Sequence, residues 1–411
     1  MDPVLSAPVG PTRSSYGDGG LQAVAVGAAV STAASLPVFL VGVLAVQIRS
    51  SLHFSPGSLG LVVAGYYSAA AGLSIPFARV TQRVGGIRVL RIAALTCAAA
   101  MAAVAVFATS WPALGMLMLV AGASSSATQP AVNQFLSRRV AQRRQGLAFG
   151  LKQSAVPLAG MLAGLAVPAV ALTVGWRWAF AGAALLAVGA AVAVPRRVPA
   201  AARAAPPVPR TAERLGPLLV LTTGFGVALA ACASLGAFLV ESAVAAGIQP
   251  GTAGLVAALA SVTALAVRVA VGYRADRRGR AHFPVVAGLL TLGAAGFLLL
   301  ALGAVLHLAA VIVLGAILAF GAGWGWNGLF NFAIIRTHQR WPARATGITQ
   351  TGGRLGAMIG PLLFGLLAGD AAYGAAWTVA GGEALLGAVL ILVGRRLLQR
   401  SALPAVSGPA A

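Results

Sequence analysis

Twelve apolar stretches run the length of this chain, separated by short polar segments rich in arginine. They cover Leu21–Gln47, Leu59–Phe77, Ile92–Ala108, Ala113–Phe135, Gly146–Val174 and Trp178–Val194, then Pro217–Val240, Ala253–Val271, Phe283–Leu306, Ala309–Ile335, Gly347–Leu367 and Ala372–Val393. A helix of about 20 apolar residues crosses the hydrocarbon core of a bilayer. In lipid such a stretch must be helical, because no water is present to bond its backbone. The third and sixth stretches are short and are expected to extend into their flanks. Thr109–Ser110–Trp111–Pro112 is short enough to join only adjacent antiparallel spans. Composition closes off the soluble alternative: 9% of the residues are charged and 59% hydrophobic. A water-covered surface needs roughly 25% charged residues. The expected class is an all-α membrane protein of twelve transmembrane helices, and a soluble enzyme is excluded.

Charge placement orients the spans. The chain carries 29 Lys+Arg against 7 Asp+Glu. With the N-terminus inside, 24 of those basic residues fall on one side and only Arg49 and Arg177 on the other; Lys152, Arg268 and Arg354 lie within spans. Basic loops stay cytoplasmic, so both termini are expected there. A single lysine among so many arginines, with abundant Ala and Gly, points to a GC-rich bacterial genome and hence to the inner, or plasma, membrane. The two cysteines, Cys97 and Cys232, sit in apolar stretches and imply no disulfide framework.

The longest connection, Pro195 to Gly216, is rich in proline and arginine. Its prolines forbid a continuous helix and its charges keep it in water. It divides the spans six and six, and internal similarity supports the division. Gly150-Leu-Lys152-Gln153-Ser154 matches Gly347-Ile-Thr-Gln350-Thr351 at an offset of 197. Gln129 and Asn133 recur as Asn327 and Asn331 at an offset of 198. The organisation expected is a disordered tail over 1–20, a six-helix bundle over 21–195, a linker over 196–216, a second bundle over 217–396 and a tail over 397–411.

The loop Gly272-Tyr-Arg-Ala-Asp276-Arg277-Arg-Gly279-Arg280 resembles the signature of the major facilitator superfamily, with Gly, three residues, Asp-Arg, one residue and Gly-Arg. Its first-half counterpart, Ala78 to Gly86, contains Arg83 and Gly85 but has Gln82 in place of the Asp and Ala78 in place of the first Gly. The resemblance implies two pseudo-symmetric six-helix bundles around a central cavity that moves solute by alternating access. It also implies a gating role for Gly272, Asp276, Arg277, Gly279, Arg280, Arg83 and Gly85. A carboxylate such as Asp276 can latch the bundles by meeting guanidinium groups and a helix N-terminus. The alternative is a solvated loop charge.

Candidate substrate contacts follow from the polar residues inside the spans, where a charge costs about 3 kcal/mol or more unless it faces a cavity or partner. Arg268, Gly272 and Asp276 are spaced as in the eighth span of monocarboxylate- and oxalate-type members of the superfamily, in which the Arg meets an anion. A guanidinium suits a carboxylate because it binds it with two parallel bonds. The competing reading is an arginine that snorkels to the membrane edge. Lys152 and Gln153, in a segment similar to cyanate- and nitrate-type members, are either cavity groups or interfacial ones. Gln129 with Asn133 and Asn327 with Asn331 form i,i+4 polar stripes on equivalent spans, suited to binding substrate or to holding helices together. Gln350 and Arg354 share a face of the eleventh span. Tyr66, Tyr67, Trp324 and Trp326 are further lining candidates.

Coupling leaves a weaker trace. Glu383 lies within the twelfth span and Glu241 near the outer end of the seventh, and a proton is the candidate coupling ion. The residues offer no nucleotide, metal or catalytic constellation, so no cofactor is expected and an enzyme is disfavoured. A symporter for a small organic or inorganic anion, acting as a monomer in the lipid bilayer without nucleic acid, is the reading the basic interior favours. Drug efflux by proton antiport is the alternative, although Val156-Pro157 and Gly160-Met161 leave the antiporter motif of the fifth span incomplete. A non-transporting membrane receptor is the alternative from another class.

Overall fold

The computed structural model describes residues 17–140, 145–196, 215–278, 283–339, 341–369 and 372–402. These residues are helical almost throughout. The first half contains α1 (Gly17–Val43), α2 (Ala45–Leu52), α3 (Pro56–Gly72), α4 (Ser74–Val84), α5 (Gly86–Phe107), α6 (Trp111–Arg139), α7 (Gln145–Gln153), α8 (Ala155–Ala166) and α9 (Trp176–Ala193). A π-helical turn, Val167–Ala171, follows α8. The second half contains α10 (Gly216–Ala245), α11 (Pro250–Arg278), α12 (Phe283–Leu306), α13 (Ala309–Gly325), α14 (Asn327–Thr337), α15 (Pro342–Leu367) and α16 (Tyr373–Ala402).

Among the described residues, nine helical stretches are long and apolar enough to cross a membrane. The pair α3 and α4, bent by 48°, makes a tenth if read as one span. The helices α6 and α15, at 29 and 26 residues, are long but more polar. Local chemistry sets the ends. Ser55 caps α3 by accepting from the Ser58 backbone N–H at 3.2 Å, with Pro56 in the first turn, where its missing N–H costs nothing. The α5–α6 hairpin is as short as its sequence requires, with the Ser110 hydroxyl accepting from the Ala113 N–H. The third apolar stretch indeed extends toward its N-terminus, reaching Gly86.

Several expected boundaries move. The second apolar stretch is not one straight helix but breaks at Leu73, because Pro76 has no N–H for the Gly72 carbonyl and its ring crowds that turn. The signature segment expected as a loop is helical from Gly272 through Arg278, as the last two turns of α11; Gly279 and Arg280 lie outside the described residues. The last helix continues past 396 to Ala402, and α1 starts at Gly17, inside the expected tail. Most of the linker, 197–214, lies outside the described residues.

Packing falls into two groups. In the first, α1 packs on α6, α8 and α9, α3 and α5 on α6, and α5 on α9. In the second, α10 packs on α15 and α16, α12 on α13 and α16, and α11 on α13. The groups meet through α3 with α15, α8 with α11, and α1 and α2 with α10. The close approaches all occur toward the end of the molecule remote from the arginine bursts. A Cβ on Gly60 would lie 2.5 Å from the Pro361 carbonyl oxygen, and one on Gly164 2.6 Å from the Ala258 nitrogen. Glycine is what lets these backbones touch. At the arginine-rich end, α4 packs mainly on α6, α7 on α1, and α14 on α11, α12 and α15. Among the described residues, the halves pack closely only at the end remote from the arginine bursts.

Candidate functional site

Three cations lie in the interior, and each stands beside a helix interruption. The α7–α8 break at Ser154 has a cause three residues downstream: Pro157 cannot donate to the Gln153 carbonyl. That free carbonyl accepts from Arg268 Nη1, which reaches it from the other half. Arg268 Nη2 donates to the Trp324 carbonyl at 2.9 Å, in the last turn of α13, before the break at Trp326. Arg354 Nη1 donates across the halves to the Ala70 carbonyl at 3.0 Å, in the last turn of α3. The guanidiniums thus sit at the C-terminal ends of α3, α7 and α13, where the carbonyls carry partial negative charge; that of Ala70 also accepts from the Ser74 hydroxyl at 2.7 Å. These contacts hold the charges without any carboxylate.

Arg268 is 9% exposed and so does not snorkel. Its Nε is buried and has no hydrogen-bond partner. Lys152 is 4% exposed, which places it in the interior rather than at the interface. Its ammonium donates to Gln129 Oε1 and to Asn133 Oδ1, the latter at 3.2 Å. Lys152 and Arg354 are near enough to repel one another electrostatically. On the second half, Gln350 Nε2 donates to Asn331 Oδ1 at 3.0 Å, and Asn331 Nδ2 donates to Asn327 Oδ1 at 3.1 Å. Asn133 is exposed, while Gln129, Gln153, Asn327, Asn331 and Gln350 are half-buried. Lys152, Gln129 and Asn133 therefore form one cluster and Asn327, Asn331 and Gln350 a second, while Arg268 and Arg354 bond to backbone carbonyls of the first half.

The aromatic candidates are mostly packing. The Tyr66 hydroxyl donates to the Ala34 carbonyl at 2.7 Å, and its ring meets Tyr67 edge-on. Trp326 is fully buried against Phe225 and Phe330. Trp324 donates from Nε1 to the Cys232 carbonyl at 2.9 Å. Among the gating candidates, Arg83 is exposed in the last turn of α4. Gly85 has φ +95 in the tight α4–α5 turn, a conformation that by itself accounts for glycine there. Gly272 is exposed on α11. Asp276 and Arg277 are placed on the same helix. Glu383 is half-buried on α16.

One pair went unrecognised in the sequence. Arg49, at the end of α2, forms an ion pair with Glu241 of α10, the only ion pair among the described residues. It joins the halves at the closed end. Arg49 Nε also donates to the Phe54 carbonyl at 2.8 Å, while Glu241 Oε2 is buried and unpartnered. A recess of about 520 Å³ lies above the pair, with His53 and Tyr373 in its wall. The available signal was that Arg49 and Glu241 are oppositely charged and both lie near the outer ends of their spans.

Comparison with known proteins completes the assignment. No curated protein sequence matches. Among solved structures, a bacterial homologue of the human lysosomal transporter Spinster, in an inward-facing and unoccupied conformation, superposes with a TM-score of 0.69 at 13% identity, covering 95% of this chain and 100% of its own. A D-xylose–proton symporter superposes with a TM-score of 0.70 at 14% identity, covering 90% of this chain and 97% of its own. At such identities the likeness establishes the fold. The sequence profile of the Major Facilitator Superfamily matches residues 26–240, more than half of the chain. The protein is therefore a multi-pass membrane transporter that belongs to the major facilitator superfamily.

Proposed function

We propose that this transporter carries a small organic or inorganic anion by alternating access. The observation that carries the reading is Arg268: a buried guanidinium whose Nε has no partner. Lys152 and Arg354 add two further interior cations, and none of the three is paired with a carboxylate among the described residues. An anion entering the polar centre supplies the missing acceptor, and a cationic drug would meet repulsion instead. Gln129, Asn133, Gln153, Asn327, Asn331 and Gln350 are the proposed neutral contacts.

In this reading twelve spans form two six-helix bundles, over 21–195 and 217–396, joined by the 196–216 linker. The ten apolar stretches are completed by α6 and α15, whose polar residues face the substrate path. The arginine-rich end faces the cytoplasm of a bacterial cell and both termini lie there. The closed end, tied by Arg49 and Glu241, is then the outer gate, and the polar centre communicates with the cytoplasm. Asp276, with Arg277, Gly279 and Arg280, serves as the inner latch. A proton is the proposed coupling ion, the xylose carrier named above being proton-coupled. A thermal-shift screen of the purified protein against small anions and common drugs tests the substrate class, since a bound substrate stabilises the native state. Stabilisation by cationic drugs and by no anion would reverse the proposal. Orientation is tested by cysteines at Ser51 and Gln249, expected to react with an impermeant reagent outside intact cells, against Ala201 and Ser401, expected to stay unlabelled.

A further inference from the structure

A second concentration of positive charge lies away from the substrate path. At the arginine-rich end, a recess of about 330 Å³ is walled by Arg88 of α5, Arg138 and Arg139 of α6, and Arg196 just beyond α9. Its floor is the start of α5. Gly85 precedes that helix, and no side chain caps its start. Gly86 is packed so tightly on α6 that a Cβ there would lie 2.6 Å from Gln134 Oε1. Four arginines and an uncapped helix start make an anion-binding surface. Arg138 and Arg88 are exposed, and no described carboxylate lines the recess.

The surroundings specify the kind of anion. Ile92, one turn beyond Arg88 on α5, is 61% exposed, and Val192, one turn before Arg196 on α9, is 72% exposed. Leu95 and Leu185 continue the same apolar exterior along these helices. Arginines therefore ring a recess at the arginine-rich ends of two helices whose outer faces are apolar and exposed. A soluble anion has no use for the apolar walls; a phospholipid uses both, with its phosphate among the arginines and its chains along α5 and α9.

We infer that this recess is a binding site for the phosphate headgroup of an anionic phospholipid of the adjoining leaflet. The test is native mass spectrometry and thermal unfolding of the detergent-purified full chain, titrated with phosphatidylglycerol or with phosphatidylcholine of the same acyl chains. Wild type should retain phosphatidylglycerol and be stabilised by it more than by phosphatidylcholine. In the double variant Arg88→Gln/Arg138→Gln, affinity for phosphatidylglycerol should fall about tenfold or more, each arginine near a lipid surface being worth about 1 kcal/mol. Phosphatidylcholine binding should be unchanged. Equal binding of the two lipids by wild type would overturn the inference without recourse to any variant, as would unchanged phosphatidylglycerol binding in the double variant. Inorganic phosphate forms a separate arm: if it alone stabilises the protein and displaces the lipid, the site is one for a free anion and the lipid assignment fails.

Discussion

The two halves of the molecule build the same polar device with different charge. In the first half, the Lys152 ammonium closes a cluster on Gln129 and Asn133. In the second, the Gln350 amide donates to Asn331, which in turn donates to Asn327. The helices and the spacing correspond; the closing residue does not. A neutral amide satisfies the second cluster internally, whereas the first keeps an excess positive charge. The cations of the second half, Arg268 and Arg354, leave their own cluster alone and reach carbonyls of the first. The recurring polar pairs thus supply the framework, and departures from the recurrence place the charge at contacts between the halves.

The strongest way to break this comparison is through Arg268. If the guanidinium receives an anion, Arg268→Ala should weaken binding by roughly thirtyfold or more, because removing one member of a buried charged pair costs about 2–5 kcal/mol. Arg268→Lys keeps the charge but loses the planar donor, and its affinity should also fall well below wild type. Titration calorimetry with the anion found in the screen measures both. Normal affinity in either variant would reduce Arg268 to a tie between the halves.

The next contrast sets Lys152 against Gln350. Lys152→Ala removes a positive charge worth about 1–2 kcal/mol at several ångströms, so anion affinity should fall about tenfold. Gln350→Ala removes one neutral hydrogen bond and should cost about 1 kcal/mol of stability with much less effect on affinity. Equal losses of affinity in the two variants would show that the charge difference between the clusters is irrelevant to substrate.

The signature segments sharpen the same asymmetry at the arginine-rich end. Asp276→Asn should slow transport in proteoliposomes while leaving substrate binding measurable, and Gln82→Asp in the other half should be tolerated. Transport at the wild-type rate in Asp276→Asn would leave that segment a solvated charge cluster. The smallest effect is expected at the closed end. Glu241→Gln removes the charge of an ion pair whose arginine is partly exposed but keeps an amide oxygen to which Arg49 can donate, a loss of about 1 kcal/mol. It should raise the labelling rate of a cysteine placed at Ala237, where α10 meets Gly42, by about fivefold. An unchanged rate would show that glycine packing alone holds that end shut.

Much of this protein is legible from its residues. Apolar length marks the spans, and the recurrence of Gln129/Asn133 as Asn327/Asn331 points to the polar centre before any coordinates. The Asp-Arg signature identifies the superfamily. Exact helix limits are less legible: Gly272–Arg278 carries a loop motif, yet α11 simply continues through it. The chain pattern states what a backbone can do and not where a neighbour will let it stop. Gly85, named for gating, sits at φ +95 in the turn between α4 and α5.

What the sequence determined by itself is whatever depends on solvent and on the local chain: helical spans forced by the bilayer, breaks forced by Pro76 and Pro157, and basic residues gathered between spans. What only the tertiary structure decided is which groups meet across the two halves. No spacing rule brings Arg268 to the Gln153 carbonyl, Arg354 to that of Ala70, or Arg49 to Glu241, since these partners lie 115, 284 and 192 residues apart. A proline frees a carbonyl locally, but the charge that fills the vacancy arrives from a helix whose position is set by the packing of the whole molecule.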